Sequence, residues 1–192
     1  MATKKLLILF SILMSMFCTR AMAYDIAVKN ADSVTIYYNY INDKKDLEVT
    51  YETTHYDCYS GSVVIPEEVN YKKRTQKVTR IGYNAFRDCT GLTSVTIPPG
   101  VTKIDYQAFI HCTGLTSVTI PNSVTRIIGL AFYGCDSLKD VYCYAKETSL
   151  TSADAFLDSP VSTATLHVPA ASVKKYKATM PWKLFGTIVA IE

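Results

Sequence analysis

The ten residues CTGLTSVTIP occur twice in this chain, beginning at Cys89 and again 23 positions later at Cys112. Three units begin at Val78, Val101 and Val124, and they share the frame V-T-x-I-x-x-x-A-F-x-x-C-x-x-L-x-x-V-x-I-P, which becomes degenerate in the third. A fixed period of about 20–50 residues is typical of solenoids, in which each unit forms one coil. The repeat therefore predicts a stack of coils.

The frame also predicts how one coil is built. In L-x-x-V-x-I the alternation turns Val95 and Ile97 inward and Ser94 and Thr96 outward, which indicates a short strand. Pro98 ends the strand because proline has no N–H for a ladder. The V-T-x-I segment predicts a second extended piece, and the A-F segment a turn or a short helix. A single coil cannot complete its own core, so the coils must stack.

Stacking places each residue on its own copy in the next coil. One interior file is predicted to contain Phe86, Phe109 and Phe132, extended one residue late by Phe156. A second file contains Cys89, Cys112 and Cys135. Neighbouring coils lie ~4.8 Å apart, which permits a disulfide, but three equivalent residues cannot all pair. We expect small buried thiols instead, and the spacing does not favour a zinc site.

The ends of the chain differ from the repeat. Residues 1–23 have a basic start at Lys4 and Lys5, an apolar run and the small-x-small pattern Ala21-Met22-Ala23, which predict a secretory signal peptide. Residues 24–61 predict an N-terminal β-meander cap, 62–169 the solenoid, and 170–192 a C-terminal cap. This last cap is expected to contain a helix over 170–179, a strand over 187–191, and covering side chains from Trp182, Leu184 and Phe185.

The predicted signal peptide accounts for the positive net charge. Three of the 20 basic residues and none of the 17 acidic residues lie in it, so the mature chain is neutral. A neutral chain has no overall attraction for nucleic acid or an anionic membrane. The predicted signal peptide implies an exported protein that is secreted, held at the cell surface or located in the periplasm. No transmembrane segment is expected in the mature chain.

The frame closely resembles the BspA-like leucine-rich repeats of host-associated bacteria. The residues that carry the resemblance are Val101, Ile104, Ala108, Phe109, Cys112, Leu115, Val118, Ile120 and Pro121, with their copies. The signal peptide and the closing segment resemble the ends of small exported proteins of the Bacteroides type. The resemblance implies a leucine-rich-repeat solenoid of about three full repeats plus partial ones. Because some family members are adhesins, it also implies binding to host matrix or plasma proteins.

The outward residues of the predicted strands are the candidate binding face. The candidates are Ser94, Thr96, Ser117, Thr119, Asp140, Tyr142, Thr165 and His167. They form two columns, each starting one coil earlier, at Ser62 and Val64. The threonines are also explained by a solvated sheet face, since threonine favours strands. Asp140 and Tyr142 add chemical variety at the C-terminal end.

Other polar residues have simpler interpretations. His111 precedes Cys112, as in a thiol protease, but the frame buries Cys112 and its copies lack the histidine, so we expect a surface histidine. Arg80, Lys103 and Arg126 recur at 23 residues and either attract an anionic glycan or extend into water. Lysines and Arg74 within NYKKRTQK are expected on a protruding hairpin or loop.

The sequence therefore predicts a non-enzymatic interaction module without a cofactor, which binds a protein or glycan partner through its strand face. A structural role in the cell envelope is the main alternative. A polysaccharide hydrolase is a further alternative, but it needs two carboxylates across a cleft, and no second carboxylate accompanies Asp140 in the repeat.

Overall fold

The computed structural model describes residues 24–52, 59–148 and 150–191. These residues form two sheets that face each other across one hydrophobic core. The first sheet contains β1 (Ile26–Lys29), β2 (Thr35–Ile41), β3 (Asp46–Thr50), β5 (Glu68–Tyr71), β6 (Arg74–Ile81), β8 (Lys103–Ile104), β10 (Arg126–Ile127) and β12 (Leu150–Thr151). The second contains β4 (Gly61–Val64), β7 (Leu92–Thr96), β9 (Ser117–Ile120), β11 (Asp140–Cys143), β13 (Thr165–Pro169) and β14 (Thr187–Ile191).

The predicted stack of coils is confirmed. Strands β7, β9, β11 and β13 pair in parallel, and Val95, Val118, Val141 and Leu166 lie opposite one another in this ladder. These four side chains are buried, while their strand neighbours face outward. In each coil the chain passes from this sheet to the first sheet and returns through the A-F segment, which is a turn. The turn contains a residue with positive φ at the equivalent positions Asn84, Gln107 and Leu130.

The phenylalanine file runs through the centre of the stack. The rings of Phe86 and Phe109 lie 4.8 Å apart, those of Phe109 and Phe132 5.0 Å, and those of Phe132 and Phe156 5.0 Å, all nearly parallel. The backbone N–H of Phe109 donates to Ala131 O at 2.7 Å, which ties the turn to the next coil. Phe156 comes one residue later than the repeat spacing predicts. It still joins the file because the loop after β11 contains one extra residue.

The cysteine file has a hydrogen-bonding role. The Cys112 thiol donates to Phe86 O at 2.9 Å, and the Cys135 thiol to Phe109 O at 3.2 Å, each reaching back one coil. The next frame position holds Ser159, and its hydroxyl donates to Phe132 O at 2.6 Å. Cys112, Cys135 and Cys143 are buried free thiols. The thiols of Cys112 and Cys135 therefore each cap a carbonyl of the preceding coil.

The N-terminal meander continues the first sheet. Strands β1, β2 and β3 are antiparallel, and β3 then pairs in parallel with β6. The ring of Tyr59 lies 4.6 Å from that of Phe86 and closes the phenylalanine file at this end. The predicted protruding segment is the β5–β6 hairpin, whose turn is formed by Lys72 and Lys73.

The C-terminal segment closes the other end of the core and extends the second sheet. The predicted helix is shorter than expected: a 3-10 turn covers Ala170–Ser172, and α1 only Val173–Tyr176. Trp182 and Phe185 are buried against Phe156, but Leu184 is exposed, contrary to the prediction. The predicted last strand, β14, is present and pairs in parallel with β13.

No helix within the described ranges is long and apolar enough to cross a membrane. The predicted signal peptide at residues 1–23 lies outside the described residues, as do Cys58 and His55.

Candidate functional site

The ladder of the second sheet aligns the candidate residues in two columns on its outer face. One column contains Ser62, Ser94, Ser117, Asp140 and Thr165 and continues to Thr187. The other contains Val64, Thr96, Thr119, Tyr142 and His167 and continues to Val189. All eight candidates therefore share one face, and each keeps part of its side chain accessible to solvent.

At the C-terminal end of this face, three side chains from neighbouring coils form a cluster. His167 Nε2 lies 2.8 Å from Asp140 Oδ1, and the His167 ring stacks on the Tyr142 ring at 4.3 Å with an interplanar angle of 11°. The imidazole is thus held by a carboxylate at one nitrogen and by an aromatic ring at its face. When neutral, it donates from Nε2 to Asp140 and leaves Nδ1 as an acceptor.

The N-terminal part of the face carries mainly short hydroxyl side chains, which project less from the sheet than the side chains of the cluster. Ser94 Oγ donates to Ser62 Oγ at 2.8 Å across neighbouring coils. Ser117 and Thr119 follow in the next coil, directly before Asp140 and Tyr142. The face therefore has a shallow hydroxyl floor that ends against a wall formed by Asp140 and Tyr142.

Sequence reasoning placed these residues in columns but missed the contacts between them. Asp140 and His167 belong to different columns and are diagonal neighbours on adjacent strands. Aligning the third unit with the degenerate fourth unit would have shown that Asp140 and His167 are diagonal neighbours. The repeat frame alone specifies only which residues face outward. The continuation of the face to Thr187 and Val189 was also missed, because the repeat frame has ended by then.

The histidine beside the central cysteine has a surface role. His111 Nδ1 lies 3.0 Å from Asp88 Oδ1, and the His111 ring contacts the Tyr133 ring edge-on at 5.4 Å. The Cys112 thiol faces the core instead, where burial raises its pKa well above the usual value. A protonated thiol directed away from the histidine does not form a nucleophile–base pair.

The recurring basic residues stack in register on the outer face of the first sheet, but they are not equivalent. Arg80 forms an ion pair with Glu48 at 3.5 Å, and Lys103 with Asp105 at 2.8 Å. Arg126 lies next to Lys103 in the ladder and has no ion pair within the described part of the chain. The file is therefore neutralised at two of its three positions.

No group of three or more histidine, cysteine, aspartate or glutamate side chains within the described residues is arranged to hold a metal ion.

The two columns of the strand face present hydroxyl, carboxylate, imidazole and aromatic groups. These are the groups that bind proteins and sugars by hydrogen bonding and stacking.

Comparisons with known proteins agree with this architecture. A sequence profile of the BspA type leucine rich repeat region matches residues 51–177 in six copies. The fold is similar to that of a leucine-rich repeat protein from Bacteroides ovatus, at 26% identity and a TM-score of 0.60, over 86% of this chain and 41% of that one. The chain thus spans less than half of that protein.

A second solved structure, of a leucine-rich repeat protein from Bacteroides capillosus, has a TM-score of 0.61 at 23% identity, over 76% of this chain and 100% of that one. At this level of identity the likeness concerns the fold alone. A comparison with curated protein sequences finds no match.

Proposed function

Because the chain belongs to the BspA-type leucine-rich repeat family, we propose that it is an exported, non-enzymatic interaction module that binds a protein or glycan partner. The partner contacts the outer face of the second sheet. The observation that carries this proposal is the cluster of Asp140, Tyr142 and His167, which is ordered before any partner arrives.

Preorganisation matters because ordering an interface side chain on binding costs about 0.5–1.5 kcal/mol. His167 is already fixed by its hydrogen bond and its ring stack, so a partner that contacts it avoids that cost. Tyrosine is also among the residues enriched at the energetic centres of interfaces. The hydroxyl floor beside the cluster supplies short donors and acceptors that do not obstruct a partner.

The absence of enzymatic activity is part of the proposal and has physical support. Asp140 is paired with His167, whereas glycoside hydrolysis requires two carboxyl groups. Burial raises the pKa of the Cys135 thiol to about 12 and also raises that of Cys143, which disfavours the thiolate needed by a cysteine nucleophile.

The binding face is tested by an array of matrix proteins, plasma proteins and glycans, followed by affinity measurements on each hit. We expect Tyr142→Ala and Asp140→Ala to weaken a genuine hit about tenfold or more. Tyr83→Ala is the matched control, since Tyr83 is 52% exposed and follows β6, on the other sheet. Affinity unchanged by both face variants would reject this face, and an array without hits would favour a structural role in the envelope.

Export is proposed from the basic start, apolar run and cleavage pattern of residues 1–23. Fractionation of the native cells and N-terminal sequencing test it. The mature protein should begin at Tyr24 and be found outside the cytoplasm. A cytoplasmic protein that retains its N-terminal segment would contradict the proposal.

A further inference from the structure

Two hairpin turns lie side by side in the N-terminal part of the first sheet. One turn joins β2 to β3, and the other joins β5 to β6. Because β3 and β6 pair in parallel, with Asp46 opposite Lys77, the turns that precede these two strands lie at the same end of them. The fold therefore brings together two segments that are far apart in the sequence.

A buried side chain joins the two turns. Gln76 is 6% exposed, and its Nε2 donates to the backbone oxygen of Lys44 at 2.8 Å, which ties the beginning of β6 to the β2–β3 turn. Arg74 precedes Lys77 by three residues, so it lies about 10 Å beyond the start of β3, at ~3.3 Å per residue. The β5–β6 hairpin thus projects past the β2–β3 turn, and together they form one protruding corner.

This corner carries a concentration of positive charge, which we call the basic patch. Its five basic residues are exposed, and none has an ion pair within the described part of the chain: Lys44, Lys45, Lys72, Lys73 and Arg74. Asp43 and Asp46 are the carboxylates at the same turns, and Asp46 already accepts a hydrogen bond from Asn42 Nδ2 at 2.7 Å. Five cations against two carboxylates leave a surplus of three positive charges, although the chain from residue 24 onward is neutral overall.

The backbone at the tip of the patch is strained. A two-residue hairpin loop of this kind needs positive φ at both central positions, where Asn-Gly is strongly preferred. Lys72 and Lys73 occupy these positions at φ 48° and 65°. Strained residues cluster at functional sites such as ligand clamps. The tip therefore has two charges at positions where an uncharged sequence would form the same turn more stably.

The surroundings of the patch restrict what it can bind. The Lys72 ammonium group lies 5.1 Å from the centre of the Tyr71 ring and covers it, so this ring does not offer a stacking surface to a nucleic acid base. Neither turn exposes a large apolar side chain, which insertion into a membrane interface requires. Asn70 and Thr75 are paired in the ladder beside the tip and are exposed, so they are available to sugar hydroxyls.

We propose that the basic patch binds a sulfated polysaccharide. The sugar chain lies across both turns, and its sulfate groups pair with the lysines of each turn. Lysine suits this role because its ammonium group acts as a compact point charge toward sulfate and phosphate oxygens. The patch is separate from the strand face, which belongs to the other sheet, so this inference does not depend on the function proposed for that face.

The experiment is a calorimetric titration of the whole mature protein with a heparin octasaccharide. The matched ligand is the unsulfated heparosan octasaccharide, which keeps the carboxylates. We expect saturable binding of heparin and at least about tenfold weaker binding of heparosan. The heparin affinity should fall as sodium chloride is added, because binding releases the counterions of a polyanion.

A double variant separates binding from folding. Lys72→Asn/Lys73→Gly should weaken heparin binding at least about tenfold and reduce the slope of log affinity against log salt by about two. Its urea midpoint should stay the same or rise, since Asn-Gly favours this turn. Lys44→Gln/Lys45→Gln should weaken heparin binding by a similar factor, which tests the contribution of the second turn.

The matched control is Lys174→Gln/Lys177→Gln, which removes two exposed positive charges from the C-terminal cap at the other end of the stack. It should leave the heparin affinity within about twofold of the parent, since surface charges far from a site contribute little.

Heparin that does not bind, or that binds no better than heparosan, would overturn the proposal. So would an equal loss in the C-terminal control, since that result would indicate a general attraction between lysines and heparin. Unchanged affinity in Lys44→Gln/Lys45→Gln would contradict a site formed by both turns. Tighter binding of duplex DNA or of phosphatidylserine vesicles, abolished by the same hairpin variant, would assign the patch to nucleic acid or to a membrane instead.

Discussion

Replacing Phe109 by alanine tests the physical basis of the whole stack. Phe109 has no exposed surface and lies between two rings, at 4.8 Å from Phe86 and 5.0 Å from Phe132. The neighbouring rings cannot close the gap easily, because the backbone of each is tied by a short hydrogen bond to the following coil. Phe86 N donates to Ala108 O and Phe132 N to Ala155 O, both at 2.7 Å.

The magnitude follows from what the substitution removes. Burying a phenylalanine side chain stabilises a protein by about 1.5–3 kcal/mol relative to exposing it. Each of the two ring pairs contributes a further ~0.5–1.5 kcal/mol. Since the gap stays largely open, we expect Phe109→Ala to lower the free energy of unfolding by about 4 kcal/mol, within the range of ~3–5 kcal/mol typical of such cavities.

The assay is urea unfolding of the mature protein, followed by far-ultraviolet circular dichroism and by the fluorescence of Trp182. Because Trp182 is buried in the C-terminal cap and is the single tryptophan of the chain, agreement between the two probes shows whether the stack unfolds as one unit. Phe109→Leu keeps most of the volume and should cost about 1.5 kcal/mol. Tyr106→Ala, on the exposed edge of the same coil, should cost about 0.5 kcal/mol or less.

A decrease of less than about 1 kcal/mol in the free energy of unfolding for Phe109→Ala would refute the reasoning, because a void of that size in a packed core destabilises a protein by more than this. Equal losses for Phe109→Ala and Tyr106→Ala would refute it as well, since they would show that burial does not distinguish the two rings.

Two further predictions concern the close contacts between coils. A Cβ on Gly114 would overlap the carbonyl oxygen of Thr90, whereas at the equivalent Gly91 its nearest neighbour would be a serine side chain at 3.1 Å. Gly114→Ala should therefore lower the urea midpoint markedly more than Gly91→Ala, and equal effects would contradict the packing. The second concerns pH: burial raises the Cys135 pKa to about 12, above the unfolded value of ~8.5, so its contribution is complete below that value and is lost as the pH rises toward 12. The free energy of unfolding should fall from about pH 9 upward, less steeply in Cys135→Ser; an equal fall in both would exclude this thiol as the cause.

The interior of the solenoid could be predicted from the sequence because the repeat overdetermines it. Val95, Val118 and Val141 occupy the same frame position, and stacking leaves one register in which all three are buried. The same register fixed which residues face outward. Periodicity therefore predicted both the core and the columns of the strand face without any knowledge of side-chain contacts.

Contacts that break the repeat could not be predicted in this way. The hydrogen bond between Asp140 and His167 depends on two side-chain conformations, and no other coil has such a pair at these positions. The carbonyl-capping role of Cys112 and its replacement by Ser159 require atomic distances, because cysteine at a buried position is also explained by its small apolar volume. Helix propensity alone favoured a segment longer than α1. The observed length is set by packing within the C-terminal cap, because tertiary packing contributes more to helix stability than propensity does.

The chemical variety of the strand face follows from one property of the fold. Stacking constrains the inward positions to be alike, because each side chain rests on its copy, but it places no such demand on the outward positions. On the second sheet, serine and threonine change to Asp140 and Tyr142 between consecutive coils. This change creates a step in surface height at the Tyr142 ring, which is stacked on His167. A partner recognises such a step more readily than a uniform ladder, because the step defines one binding position along the axis while a uniform ladder offers several equivalent ones.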